Sequence, residues 1–278
     1  MLRAIYFCFC LFLAAFVANA QQIITAGSAL TETVYVLGAG QNLIAVDRTS
    51  IYPNEAQSLP SIGYRTSISA EGIISLKPTL VFAEKDYVKD VVLEQIKGAG
   101  VKVIIIERVY TFEGTQKMIR EIAETLNRKQ EGEKLIASIK ADLDEAQKII
   151  KNSTVSPRVL CVFNRDKSSL NIAGSNTFSG ILPYTGSIPA ITGVDGYKPL
   201  NTEALIASQP DYLLMFESGI GALGGTKGVL AIPGVAQTPA GKNNRVIGMD
   251  GIMLSNFGPR LGKAVKELTL ALHPDYKP

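Results

Sequence analysis

The chain has 278 residues, with 28 Lys and Arg against 25 Asp and Glu, a formal charge of +3 and a single histidine. Its basic residues are dispersed rather than gathered into stripes, which argues against nucleic-acid binding. With His273 near the end of the chain and three cysteines, it offers no His/Cys cluster for zinc and no well-placed base for a Ser–His–Asp or Cys–His mechanism.

Residues 1–20 read as a signal peptide. Arg3 supplies the positive start, residues 4–17 an apolar run, and Ala18-Asn19-Ala20 a small-x-small cleavage site. Cleavage after Ala20 and export to the periplasm follow, and no lipid anchor is expected, because neither Cys8 nor Cys10 follows the small residues of a lipidation box. Both leave with the signal, so Cys161 is the mature chain's one thiol; it lies in the apolar run 159–163 and reads as a buried structural cysteine. No later apolar stretch is long enough to span a bilayer as a helix.

From Gln21 onward, strand and helix patterns alternate. Residues 23–26 form a β-branched strand, Gly27-Ser28 a turn, residues 30–37 a helix stopped by Gly38, and residues 43–46 a second strand. Residues 46–65, VDRTSIYPNEAQSLPSIGYR, carry Pro53, Pro60 and Gly63 with little periodicity; so long a loop points to a functional role. A capped short helix, a turn at Pro78 and a buried strand occupy residues 69–83, followed by a helix over 88–97 and a strand over 101–106. This order predicts a mainly parallel sheet with helices on its faces. Helix 111–126 is interrupted at Asn127. Over 130–150, Leu135, Ile136, Ile139, Leu143, Ala146 and Ile150 recur at helical spacing, giving a rod of about 31 Å. On that rod Asp142, Asp144 and Glu145 read as a solvated face rather than as catalytic carboxylates.

Past Asn152-Ser153-Thr154, read as a polar linker, the alternation restarts, and the second half echoes the first. Residues 201–215 align without gaps on 69–83, matching Glu203 to Glu71, Ile206 to Ile74 and Pro210 to Pro78. The fold expected is α/β: two similar lobes with mainly parallel sheets, 21–127 and 155–278, joined by one long backbone helix within 128–154, with a ligand cleft between the lobes. Gly219-x-Gly-x-x-Gly224 follows an apolar strand, but Pro233 breaks the helix after it and no acidic residue stands about 20 positions on. It is expected to be a flexible glycine loop on the cleft rim. A short amphipathic helix over 265–272 closes the chain.

Tyr52 is the candidate with distinctive chemistry. Pro53 biases it toward extended backbone, where a phenol can meet a ligand, and a phenolate is a hard anionic ligand for ferric iron. Bound Fe(III) and a neighbouring cation such as Arg48 or Arg65 would favour that phenolate. For an arbitrary tyrosine, a half-buried cap on the core is the commoner outcome.

Several segments together resemble the periplasmic haem-binding proteins that feed bacterial haem ABC importers, within the wider class binding cobalamin and ferric siderophores. They are Gly27-Ser28-Ala29-Leu30-Thr31-Glu32, Val46-Asp47-Arg48-Thr49-Ser50-Ile51-Tyr52-Pro53 and Gly63-Tyr64-Arg65 leading into Ser69-Ala70-Glu71-Gly72. The C-terminal part adds Tyr197-Lys198-Pro199-Leu200, Leu230-Ala231-Ile232-Pro233-Gly234-Val235, Thr238-Pro239-Ala240-Gly241, Met249-Asp250-Gly251 and Phe257-Gly258-Pro259-Arg260. The resemblance implies a non-enzymatic, monomeric binding protein holding haem in the cleft, its ferric iron ligated by Tyr52. It also implies docking of Glu71 and Glu203 into arginine pockets of a membrane permease, with an outer-membrane haem receptor system upstream. Arg48 and Arg65 are then candidate propionate or phenolate partners, Tyr64, Phe178 and Phe257 candidate ring contacts, and Met253 a group that could approach the opposite face. Where some relatives carry an arginine before the second lobe's glycine loop, this chain has Ser218, and no cleft histidine is available. One haem with five-coordinate iron, or water as a weak sixth ligand, is therefore expected. The alternatives are a ferric siderophore or cobalamin carrier and, more distantly, an exported α/β enzyme.

Overall fold

The computed structural model describes residues 21–164, 166 and 169–276; the expected signal segment, 1–20, lies outside them. Short β-branched runs ending in glycine or polar turns become the first sheet. β1 (Ile23–Ala26), α1 (Ser28–Val36), β2 (Leu43–Val46), α2 (Ala70–Ser75), β3 (Leu80–Glu84), α3 (Asp90–Gly98) and β4 (Lys102–Ile106) follow one another. Every pairing in this sheet is parallel, in the order β2-β1-β3-β4. All four residues of the central strand β1 are buried, as a strand covered on both faces requires.

Two helices then lead out of this lobe. Thr111 caps α4 (Phe112–Thr125) by accepting a hydrogen bond from the Gly114 amide at 3.1 Å, and Asn127, in the left-handed region at φ 56°, ends it. α5 (Lys129–Lys151) is the long connecting helix, about 34 Å at 1.5 Å per residue. Ile136, Ile139, Leu143, Ala146 and Ile149 form its buried stripe, so Ile149 takes the inner place expected of Ile150. Each buried isoleucine or leucine contributes on the order of 2 kcal/mol.

The second half forms β5 (Arg158–Asn164), β6 (Leu170–Ala173), β7 (Ile188–Pro189), β8 (Tyr197–Pro199), α6 (Thr202–Ser208), β9 (Tyr212–Phe216), α7 (Glu217–Ala222), α8 (Thr226–Leu230), α9 (Pro239–Lys242), β10 (Val246–Met249), α10 (Gly251–Asn256) and α11 (Leu261–Leu272). The sheet order is β10-β9-β5-β6-β8, with β7 paired to β5. β9 and β10 run parallel to β5, whereas β6 is antiparallel to both β5 and β8. The sheets are mainly parallel as expected, and β6 is the antiparallel insertion because the β5–β6 connection is too short to hold a crossover helix. The internal repeat persists in space. Ser69 and Asn201 each cap a short helix, α2 and α6, that turns into a buried parallel strand, β3 and β9.

One face of each sheet contributes to a core shared with α5 and α11. Ile23, Leu30 and Phe82 from the first lobe, Val159, Cys161 and Leu214 from the second, and Ile139, Leu143, Val265 and Leu268 from the two helices belong to one continuous core. Gly262 lets α11 approach α5 closely: a Cβ there would meet the Ile139 carbonyl oxygen at 2.8 Å. Each lobe keeps a further core on its outer face. Asp144 of α5 pairs with Lys140, and both Asp142 and Glu145 with Lys266 of α11. Residues 219–222 of the glycine motif are helical, within α7, and not a loop; the left-handed Gly224 and Gly225 make the turn that follows. Gly219 packs tightly against the Asn164 side chain.

Candidate functional site

Open α/β sheets place their loops, and with them their ligands, at the carboxyl ends of parallel strands. Here the loops after β2, β9 and β10 converge on one cavity of about 450 Å³, lined by Ile51, Tyr52, Asn54 and Gln57 on one side and by Phe216, Glu217, Ser218, Asp250 and Ile252 on the other. That volume lies in the range of small-molecule and cofactor sites. Tyr52 stands on its wall, 39% exposed, so it is neither a core tyrosine nor a freely solvated one.

The cation beside Tyr52 is Arg260. Its guanidinium lies 3.7 Å from the Tyr52 ring centroid, a cation–π arrangement that also places a positive charge beside any negative charge on the phenol oxygen. Arg260 is itself held from the other lobe: Nε and Nη2 donate to the two Glu32 carboxylate oxygens at 2.8 and 3.1 Å, and Nη1 lies 3.6 Å from Asp250. Glu32 is 1% exposed. Burial pushes its carboxyl above the usual range against the opposing pull of Arg260. For Arg260, burial works against the charge but hydrogen bonding and attraction to Glu32 outweigh it, and the guanidinium is held more firmly protonated than usual. The fork-to-fork geometry makes this an ion pair joining α1 to the start of α11. Ser28 donates to the Asn256 side-chain oxygen at 2.7 Å and Thr115 to the Phe257 carbonyl at 2.7 Å, pinning the same junction to the first lobe.

Other expected residues fall elsewhere. Arg48 and Arg65 do not line the Tyr52 cavity; their guanidinium groups lie 5.0 and 5.7 Å from the Tyr64 ring centroid, and Arg65 also 4.9 Å from that of Tyr87. The cation beside Tyr52 is thus Arg260 rather than Arg48 or Arg65. Tyr64 meets Tyr87 edge-on at 6.0 Å, and Tyr87 is committed as a donor to Asp47, with burial first and that bond second holding its phenol far above the ordinary range. Phe178 and Phe257 are corrected as ring contacts: they are 0% and 1% exposed and fill the shared core, because Phe178 packs under Phe216 and Phe257 against Tyr110. Phe216 is the aromatic on the cavity wall. Met253 is likewise a core side chain, its amide capped by Asp250. Ser218 does line the cavity, so no arginine occupies that point of the wall.

Glu71 and Glu203 are exposed in the first turns of α2 and α6. Among the described residues there is no group of three or more His, Cys, Asp or Glu able to hold a metal ion.

The residues missed by sequence reasoning are Glu32, Arg260, Phe216 and Asp250. A carboxylate flanked by Leu30 and Val34 in α1 was the signal for the first, since a buried charge requires a partner; nothing local pointed to Arg260 as that partner, 228 positions away.

A cavity between two α/β lobes joined by one long helix is the arrangement of a two-lobed fold with a candidate ligand site between its lobes. The family described as periplasmic binding protein matches residues 23–252, and the chain belongs to it. Among solved structures, the periplasmic heme-binding protein RhuT from Roseiflexus sp. RS-1 in apo form superposes with a TM-score of 0.85 at 36% identity, over 91% of this chain and 98% of that one. Periplasmic heme-binding protein BhuT in complex with two hemes gives 0.84 at 36% identity, over 90% and 97%. By sequence, the uncharacterized ABC transporter substrate-binding lipoprotein YvrC of Bacillus subtilis is 27% identical over 88% of this chain and 77% of its own length. A Vitamin B12-binding protein of Vibrio campbellii is 29% identical over 70% of each.

Proposed function

We propose that this protein is an extracytoplasmic haem-binding protein that captures ferric haem through Tyr52 and delivers it to an ABC transporter permease. The observation carrying the reading is Tyr52 on the wall of the inter-lobe cavity with the Arg260 guanidinium 3.7 Å from its ring centroid. A tyrosinate suits ferric iron, and Arg260 supplies a countercharge fixed in advance by Glu32 rather than recruited on binding. The haem-binding neighbours at 36% identity support the ligand class. The iron arrives with the ligand, so the protein contributes one ligating oxygen, apolar walls and the geometry between them. Glu71 and Glu203, on equivalent first turns of the two lobes, are the residues proposed to meet the permease. Division into lobes 21–127 and 155–278 about a linking segment, a signal cleaved after Ala20, the monomeric state and one haem per chain belong to the same proposal.

Adding hemin to purified protein tests it. The expected result is a Soret band that grows to one equivalent, with a tyrosinate-to-iron charge-transfer absorption. A cobalamin carrier is the second reading, favoured by the relatives named Vitamin B12-binding proteins; binding of cobalamin without a hemin response would replace the haem reading.

A further inference from the structure

The capped helix of the internal repeat is packed shut on the first lobe and stands beside an open socket on the second. Around the start of α6, Leu170, Pro199, Leu200, Leu205, Ile232 and Pro233 line a cavity of about 480 Å³. Leu205 forms its buried floor, Leu170, Leu200 and Ile232 are half-buried, and the two prolines are exposed at the rim. By the alignment of 201–215 on 69–83, carried one residue upstream, Leu200 corresponds to Ile68 and Thr202 to Ala70. Ile68 and Ala70 are 4% and 7% exposed and belong to the first lobe's outer core, whereas Thr202 is exposed and Leu200 lies open to the socket.

The socket lies at the end of the lobe that carries the cleft. β8 is antiparallel to β6, and β6 to β5, so β8 points the same way as β5 and β9, and α6 is the crossover helix between two parallel strands. Its first turn therefore stands at the carboxyl end of the sheet, the end from which the loops after β9 and β10 wall the Tyr52 cavity. Glu203, exposed in that first turn, is the next residue after Thr202 of the socket lining. A pocket that swallows an apolar anchor is where an interface concentrates its binding energy, and a charge beside it adds steering and register. We infer that the socket takes an aromatic or branched aliphatic side chain from the permease loop that also brings a cation to Glu203, a contact that belongs to the second lobe alone. The inference rests on the docking part of the reading above and deepens it.

The test measures docking of the hemin-loaded protein to its cognate permease in lipid nanodiscs, with a hemin titration of every variant alongside. Pro199→Trp and Pro233→Trp fill the socket from two different rim segments, Pro199→Ala/Pro233→Ala removes both prolines and leaves it open, and Glu203→Gln removes the charge beside it. Each tryptophan is expected to weaken docking at least about tenfold with hemin affinity within about twofold of wild type, while the alanine pair docks within about twofold of wild type. Glu203→Gln should also weaken docking. Tryptophan variants that dock like wild type, or an alanine pair that docks as poorly as they do, overturn the socket alone while Glu203→Gln still weakens docking. If Glu203→Gln docks like wild type, the docking reading falls and the socket with it. Where one tryptophan variant fails to take up hemin the other decides; if both fail, the cavity is not a surface socket and the inference is overturned.

Discussion

The two lips of the cleft descend from the same short unit yet carry opposite chemistry. Four residues before its capped helix, the first lobe places Arg65, stacked on Tyr64 and Tyr87; at the equivalent position, four residues before Asn201, the second lobe places Tyr197. Tyr197 leans on Phe163 at 4.8 Å, and Phe163 meets Phe216 at 5.6 Å, so an aromatic tier runs from the second lip down to the cavity wall. The first lobe thus presents the Tyr52 phenol and stacked cations, the second a flat aromatic surface. A repeated backbone unit constrains where side chains stand and says little about what they are, because the short helix and strand need only a cap, a turn and a buried run.

The comparison can be broken first at the ion pair that crosses it. Arg260→Met should cost about 3–5 kcal/mol of stability by leaving the Glu32 charge buried without a partner, read as a lowered denaturant midpoint. Adding Glu32→Gln should recover more than half of that loss. If the single substitution is neutral, the pair is not what joins the lobes under Tyr52. A smaller effect is expected on the aromatic side. Phe216→Leu keeps an apolar side chain but removes the flat face, and should weaken haem binding by about 1 kcal/mol, roughly fivefold, with the charge-transfer band intact. A lost band would mean that the second lobe also controls ligation. The smallest effect on binding is expected at the two exposed glutamates. Glu71→Gln/Glu203→Gln should leave hemin affinity within twofold of wild type and abolish uptake in cells carrying the cognate permease; normal uptake would remove both residues from the docking surface.

Much of this architecture was legible in the sequence. β1, β2 and the long helix follow from β-branched runs, glycine stops and a three-and-four spacing of aliphatic residues, and the 69–83 and 201–215 repeat marks the lobes before any coordinate is known. The antiparallel β6 and β8 were hidden because they are four and three residues long, too short to show a period. At the site, Tyr52 could be singled out from its proline neighbour and its chemistry. Its true cation could not: sequence proximity favoured Arg48, which turns to Tyr64, whereas Arg260 reaches the ring only through the packing of α11 beneath both lobes. Phe178 and Phe257 misled for a related reason, since an aromatic residue beside a glycine-rich loop looks the same in sequence whether it faces a ligand or fills the core beneath one.

The central claim, ligation of ferric haem by Tyr52, is tested most directly by the visible spectrum of the hemin complex of Tyr52→Phe beside that of the wild type. The account predicts that the substitution abolishes the tyrosinate-to-iron charge-transfer band and lowers affinity about 100-fold, or about 2.7 kcal/mol. An unchanged band and affinity would contradict it.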